Sequence, residues 1–100
     1  MSLDALDEQI LDWGIQKGIL PHAEPLAQLD KTKEEVGELE LAIYEHDVDE
    51  VKDAIGDIYV TITMQAEAWG FTMQECVQAA YDVIKHRTGK MVDGKFVKDN

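Results

Sequence analysis

Apolar side chains recur every three or four residues through most of this chain, and its only two prolines, Pro21 and Pro25, stand close together in the first third. Residues at i, i+3, i+4 and i+7 share one face of an α-helix, whereas a half-buried strand needs strict alternation. The pattern therefore calls for an all-α fold. It predicts helices over residues 3–17, 25–46, 48–69 and 72–87, followed by a tail at 88–100. Leu3, Leu6, Ile10 and Trp13 form the first stripe, which Gly18 and Pro21 end. Pro25 suits the first turn of the second helix, where its missing N–H costs nothing. Leu29, Thr32, Val36, Leu39 and Ile43 line one side of that helix, and Val51, Ile55, Ile58 and Ile62 one side of the third. Val60 and Met64 fall on another face, so the third helix is expected to be contacted from two sides. Thr72-Met73-Gln74-Glu75 is a capping-box pattern opening the fourth helix, and Gly70 and Gly89 are stop signals. Asp93-Gly94 sits between short apolar pairs and predicts a small hairpin or an extended arm. The expectation is a four-helix bundle-like fold with a short C-terminal appendage.

One hundred residues suit a single domain, spanning 1–100, and a hydrophobic share of 45% with 30% charged residues is ordinary globular usage. The net charge of −12 is unevenly placed. Residues 1–84 hold four Lys against nineteen Asp and Glu, a balance of −15, while residues 85–100 hold four Lys and one Arg against two Asp, a balance of +3. An acidic body argues against nucleic acid and anionic membranes as partners. Cys76 is the sole cysteine, which excludes an internal disulfide and reads as a small core residue. No basic segment precedes an apolar run at the N-terminus, and no apolar stretch is long enough to span a bilayer, so the cytoplasm is the expected compartment. A chain this small, with a second apolar face on its third helix, is expected to pair as a homodimer or homotetramer.

Two acidic clusters carry the chemistry: Glu34-Glu35-Val36-Gly37-Glu38 in the second helix, and the run from Glu50 through Asp53 to Asp57 in the third. A helix advances about 100° per residue. On that wheel Glu35 and Glu38 flank their apolar stripe on the same side, and at a similar offset, as Asp57, Glu50 and Asp53 flank theirs. A short connection makes the two helices antiparallel neighbours, so these carboxylates should converge on one cleft. Clustered carboxylates repel unless they are protonated or share a cation. An all-oxygen donor set suits a hard ion, Mg²⁺ or Mn²⁺. The plainer alternatives are that Glu35 merely closes a capping box with Thr32, and that Glu-rich faces contact water. His22, His46 and His86 are scattered and do not describe a zinc site.

Lys33-Glu34-Glu35-Val36-Gly37-Glu38-Leu39 resembles the EExxE motif of the MazG-like all-α nucleotide pyrophosphohydrolases, and Asp53-Ala54-Ile55-Gly56-Asp57-Ile58 resembles the second motif helix of that family. The ending from Tyr81 through Lys85-His86-Arg87 to Lys98 is similar to that of short, phage- and Gram-positive-type members. The resemblance covers roughly residues 8–98. It implies hydrolysis of a (deoxy)nucleoside triphosphate between its α and β phosphates, to monophosphate and pyrophosphate, with Glu35, Glu38 and Asp57 as metal ligands. The family pattern has Glu where this chain has Ala54, so Asp53 or Glu50 becomes the candidate for the fourth ligand.

A metal-assisted displacement at phosphorus needs a proton acceptor, for which Glu34 and Glu38 are the candidates. It also needs cations for the phosphates. Lys85, Arg87, Lys90 and Lys95 cluster at the end of the fourth helix and in the tail, where they either grip phosphate or complement a helix dipole. Trp13 and Trp69 offer flat surfaces that either stack on a base or fill the core, and Tyr59 reads as core. Two other functions remain open at this level. One is a sister enzyme, such as a phosphoribosyl-ATP or dUTP/dCTP hydrolase. The other, prompted by Ala54, is a non-catalytic helical interaction module.

Overall fold

The computed structural model covers residues 1–100 and contains α1 (Leu3–Gln16), α2 (Pro25–Tyr44), α3 (Val48–Ala68), α4 (Met73–Ile84), β1 (Gly89–Val92) and β2 (Lys95–Lys98). The helix starts follow local chemistry. The Ser2 hydroxyl accepts from the Ala5 N–H at 3.2 Å, and the Asp47 carboxylate from the Glu50 N–H at 3.1 Å. Thr72 and Glu75 close the expected capping box, each accepting from the other's backbone N–H. Pro25 occupies the first turn of α2.

All four helices end one to three residues earlier than the periodicity predicts. The reason is the same each time: the last turn tightens into i→i−3 bonds that satisfy otherwise orphaned carbonyls. Gly18 N–H donates to Ile15, His46 to Ile43, Gly70 to Glu67 and Arg87 to Ile84, at 3.0–3.2 Å. Lys85, His86 and Arg87 thus form a turn and not a final helical turn of α4.

The third helix is the hub. Helix α2 packs antiparallel along it, and α1 and α4 lie against it elsewhere. Side chains fix the α2–α3 seam. The Thr32 hydroxyl donates to Thr61 Oγ1 at 2.9 Å, the Gln28 amide to the Thr61 carbonyl at 3.3 Å, and the Gln65 amide to the Pro25 carbonyl at 2.9 Å. Gln28, Thr32, Glu35, Leu39 and Ala42 are the covered residues along this side of α2, and Ala54, Thr61, Thr63, Met64 and Ala66 are buried on α3. The expected aliphatic stripes are therefore displaced by about one residue. Leu29, Val36, Ile43, Ile55 and Ile62 remain 39–56% exposed, and small Ala and Thr side chains occupy the seam. Small residues let the two helices approach closely and leave the larger ones on the flanks. Met64 is buried from the α1 side, as its separate face predicted. A Cβ at Gly14 would lie 2.8 Å from its Cε and Sδ, so any larger residue there must displace the Met64 thioether.

The tail is a hairpin. Asp93 and Gly94 both have positive φ, 51° and 80°, which a two-residue turn matching strand twist requires. Lys90 pairs with Val97, Met91 with Phe96 and Val92 with Lys95. The two strands approach each other and none of the helices. No helix is long and apolar enough to cross a membrane.

Candidate metal centre

The Thr32–Thr61 bond sets the antiparallel register, and one turn further along α2 this register brings Glu35 toward Asp57 of α3. Glu35 is not on the edge of the packed face, where the wheel put it, but within the seam at 8% exposure. Its Oε2 is buried with no hydrogen-bond partner. Its Oε1 lies 3.6 Å from Lys31 Nζ, which also contacts Glu34 Oε2 at 3.1 Å. Exposed Glu38 and half-buried Asp57 complete the group. One carboxylate oxygen from each of Glu35, Glu38 and Asp57 lies within 4.8 Å of the others.

Electrostatics agree with the geometry. Burial pushes the Asp57 carboxyl above the ordinary carboxylate range, and the charges of Asp53 and Glu35 push it further, with Lys31 opposing. The hydrogen bond to Glu34, reinforced by the charges of Glu34 and Glu35, holds Lys31 above its usual value. A buried glutamate with one oxygen lacking a donor, grouped with two more carboxylates, is an arrangement that a cation completes. The donor set is all oxygen, as a hard divalent ion prefers. The residues fit such an ion.

The other sequence-predicted residues divide clearly. Asp53, one turn before Asp57, adjoins the cluster and is felt by it. Glu50 lies in the first turn of α3, exposed, and does not join the group. Glu34 faces outward and holds Lys31. Lys85 pairs with Asp82 at 3.3 Å and sits 5.8 Å from the centroid of the Tyr81 ring. Arg87, Lys90 and Lys95 belong to the turn and the hairpin, which stand away from the helices, so one chain does not bring them to the acidic group.

Trp13 is 43% exposed and borders two clefts. One is lined by Leu6, Ile10, Val60 and Asp57. The other, about 480 Å³, is lined by His22, Gln28, Lys31, Thr61 and Met64. Trp69 is exposed and its indole N–H donates to Gln65 Oε1 at 3.1 Å. Tyr59 is a polar tie: its hydroxyl donates to Asp7 Oδ1 at 2.8 Å, linking α3 to α1. Burial, then Asp7, push its pKa up to about 12.

Sequence reasoning missed Lys31, Gln28 and Thr61. Lys31 carried a readable signal, standing three and four residues before Glu34 and Glu35 on one helix face. Gln28 and Thr61 carried none, because only the register of α2 on α3 puts them beside the cleft.

No curated protein and no solved structure matches the chain. A family model described as the MazG nucleotide pyrophosphohydrolase domain matches residues 23–92, which takes in α2, α3, α4 and β1 and leaves α1, with Trp13, outside. With that match over most of its length, the chain belongs to the MazG nucleotide pyrophosphohydrolase family.

Proposed function

We propose that this chain hydrolyses (deoxy)nucleoside triphosphates between the α and β phosphates, with Mg²⁺ as cofactor, releasing a nucleoside monophosphate and pyrophosphate. The observation that carries this reading is the gathering of one carboxylate oxygen each from Glu35, Glu38 and Asp57 within 4.8 Å, together with a buried Glu35 oxygen that has no hydrogen-bond partner. Glu35, Glu38 and Asp57 would hold the ion, with Asp53 as the adjoining fourth carboxylate. When bound, the ion supplies charge neutralisation for the phosphates and a more acidic water.

The remaining work falls to the side chains. Glu38 contributes one oxygen to the group and is the exposed member of the three, so it is placed to accept the proton of an attacking water. The water oxygen then bonds to the α phosphorus, the bond from that phosphorus to the α–β bridging oxygen breaks, and pyrophosphate leaves with that oxygen. Glu34 acts indirectly by holding Lys31 beside Glu35. Trp13 borders both the Asp57 cleft and the cavity of about 480 Å³, so a base lying in either meets an aromatic face.

The test is a panel of ribo- and deoxyribonucleoside triphosphates incubated with Mg²⁺ and followed by ³¹P NMR. Monophosphate and pyrophosphate should appear, and should be absent with chelator and with Glu38→Ala. Turnover no greater than that of Glu38→Ala on every nucleotide would leave a helical interaction module as the better reading. Release of orthophosphate and diphosphate would place the cleavage at the wrong bond.

A further inference from the structure

The hairpin Gly89–Lys98 touches no helix of its own chain, yet it is not built to stand in water. A two-stranded ribbon is at best marginally stable alone. Its register sorts the side chains onto two faces: Lys90, Val92, Lys95 and Val97 on one, Met91, Phe96 and Lys98 on the other. Met91, Phe96 and Val97 are 48–65% exposed. Apolar groups on both faces of a free ribbon require a covering surface that this chain does not supply.

Charge and area identify the surface. The segment 85–100 carries +3, and residues 1–84 carry −15. The complement of the arm is therefore the body of another copy. The chain exposes 7816 Å², against about 5,700 Å² for an ordinary folded monomer of its mass. The excess of about 2,100 Å² per chain is what large, stable dimers cover. The radius of gyration, 15.6 Å, exceeds the roughly 13 Å of a compact chain of this length, as an outstretched arm demands.

The acidic group needs what the arm carries. Within one chain, the neighbouring cations are Lys31, already engaged by Glu34 and Glu35, and Lys52, which shares a cleft with Asp53 and Asp57. We propose that the hairpin of one copy docks on the acidic body of a second copy through the face that carries Val92 and Val97 together with Lys90 and Lys95. There it presents Lys90 and Lys95 to phosphates held at that copy's Glu35, Glu38 and Asp57. The docking stands independently, whereas the delivery of lysines to phosphate rests on the pyrophosphohydrolase reading.

Two measurements test the two parts. In the first, Val97→p-benzoylphenylalanine is photolysed in a mixture of isotopically light and heavy chains, and cross-linked peptides are mapped. Light–heavy cross-links from position 97 into residues 1–84 are expected. Cross-links only within one chain, or only between hairpins, would overturn the docking. In the second, Glu38→Ala and Lys90→Glu/Lys95→Glu chains are assayed separately and after co-expression. Each alone should be inactive. Random pairing makes half the dimers mixed, each with one complete site, so co-expression should restore about one quarter of wild-type turnover. No recovery would mean that arm and carboxylates act within one chain. If the wild-type chain turns over no nucleotide, the delivery falls with the activity, and the cross-link still decides the docking.

Discussion

Replacing Glu35 by glutamine isolates the cost of a carboxylate placed inside a helix seam. Without metal, Glu35 Oε2 is buried and unpartnered, and Oε1 has only Lys31 at 3.6 Å. Lys31 is more than half exposed, so the ion pair is worth only about 0–1 kcal/mol. A buried polar group left without its partner costs about 1–3 kcal/mol. Taken at mid-range, the difference leaves about 1–2 kcal/mol for Glu35→Gln to recover when no ion is present, because a neutral amide carries N–H donors for the neighbouring Glu38 and Asp57 carboxylates. In a domain of this size each kcal/mol moves Tm by about 4–8 °C, so the metal-free variant should melt roughly 4–16 °C higher than the parent. Mg²⁺ should then reverse the order. An ion at a hundredfold excess over its Kd stabilises the folded parent by about 2.7 kcal/mol, and the variant should gain little. Scanning calorimetry at pH 7 and fixed protein concentration, in chelator and in Mg²⁺, reads both arms. A variant that melts at or below the parent in chelator, and responds equally to Mg²⁺, would show that Glu35 is neither strained nor a ligand.

Four further perturbations probe the same framework. Ala54 is completely buried, so Ala54→Glu should destabilise the metal-free chain by about 3 kcal/mol or more yet tighten Mg²⁺ binding in calorimetric titration; unchanged affinity would mean that position 54 does not reach the ion. Asp57 is held above the ordinary carboxylate range in the folded state, so its protonated form favours folding. The metal-free chain should therefore gain stability from this group as pH falls through that raised value, and Mg²⁺ binding should weaken over the same range, both followed by Tm against pH. Tyr59→Phe removes the hydroxyl bond to Asp7 and should cost about 1 kcal/mol at neutral pH. Because the Tyr59 pKa is raised to about 12, its contribution is complete below pH 10 and fades toward pH 12, so the two denaturation midpoints should converge there. Gly14→Ala must displace the Met64 thioether, at about 1–3 kcal/mol, but gains about 0.5–1 kcal/mol of helix stability, so it should cost about 0–2 kcal/mol in chemical denaturation.

Helix starts were legible because caps are local: Thr72 and Glu75, Asp47, and Pro25 act within a single turn. The hairpin was legible for the same reason, since Asp93-Gly94 fixes its own turn. Glu35, Glu38 and Asp57 could be singled out because their spacing on two adjacent helices is short-range information. What could not be read was the rotation of α2 on α3. Periodicity assigns the interior to the largest apolar side chains, so Val36 and Ile43 were expected inside and Glu35 on the rim. The seam instead follows Thr32, Glu35, Leu39 and Ala42. Nothing local distinguishes an aliphatic stripe that faces its own chain from one that faces another. Lys90 and Lys95 could likewise be recognised as phosphate-binding types, but not as residues lying away from their own chain's carboxylates.

That rotation ties the site to assembly. Placing a carboxylate in the α2–α3 seam requires neighbours small enough to let the helices approach and polar enough to fix their register, which Ala42, Ala54, Thr32 and Thr61 provide. The same choice pushes Leu29, Val36, Ile43, Ile55 and Ile62 onto the outside of a single chain. A local rule broken in this way, with a charge inside and aliphatics outside, belongs at a functional site whose cost is offset elsewhere. Covering those aliphatics with a second copy would supply the missing burial, and binding a cation would relieve the buried charge. Folding, pairing and metal binding should therefore be thermodynamically linked, since anything that binds only the assembled state stabilises it by mass action. Mg²⁺ should strengthen self-association of the parent chain in sedimentation equilibrium and leave that of Glu35→Gln unchanged. An association constant of the parent indifferent to Mg²⁺ would uncouple the two and leave the exposed stripes without this explanation.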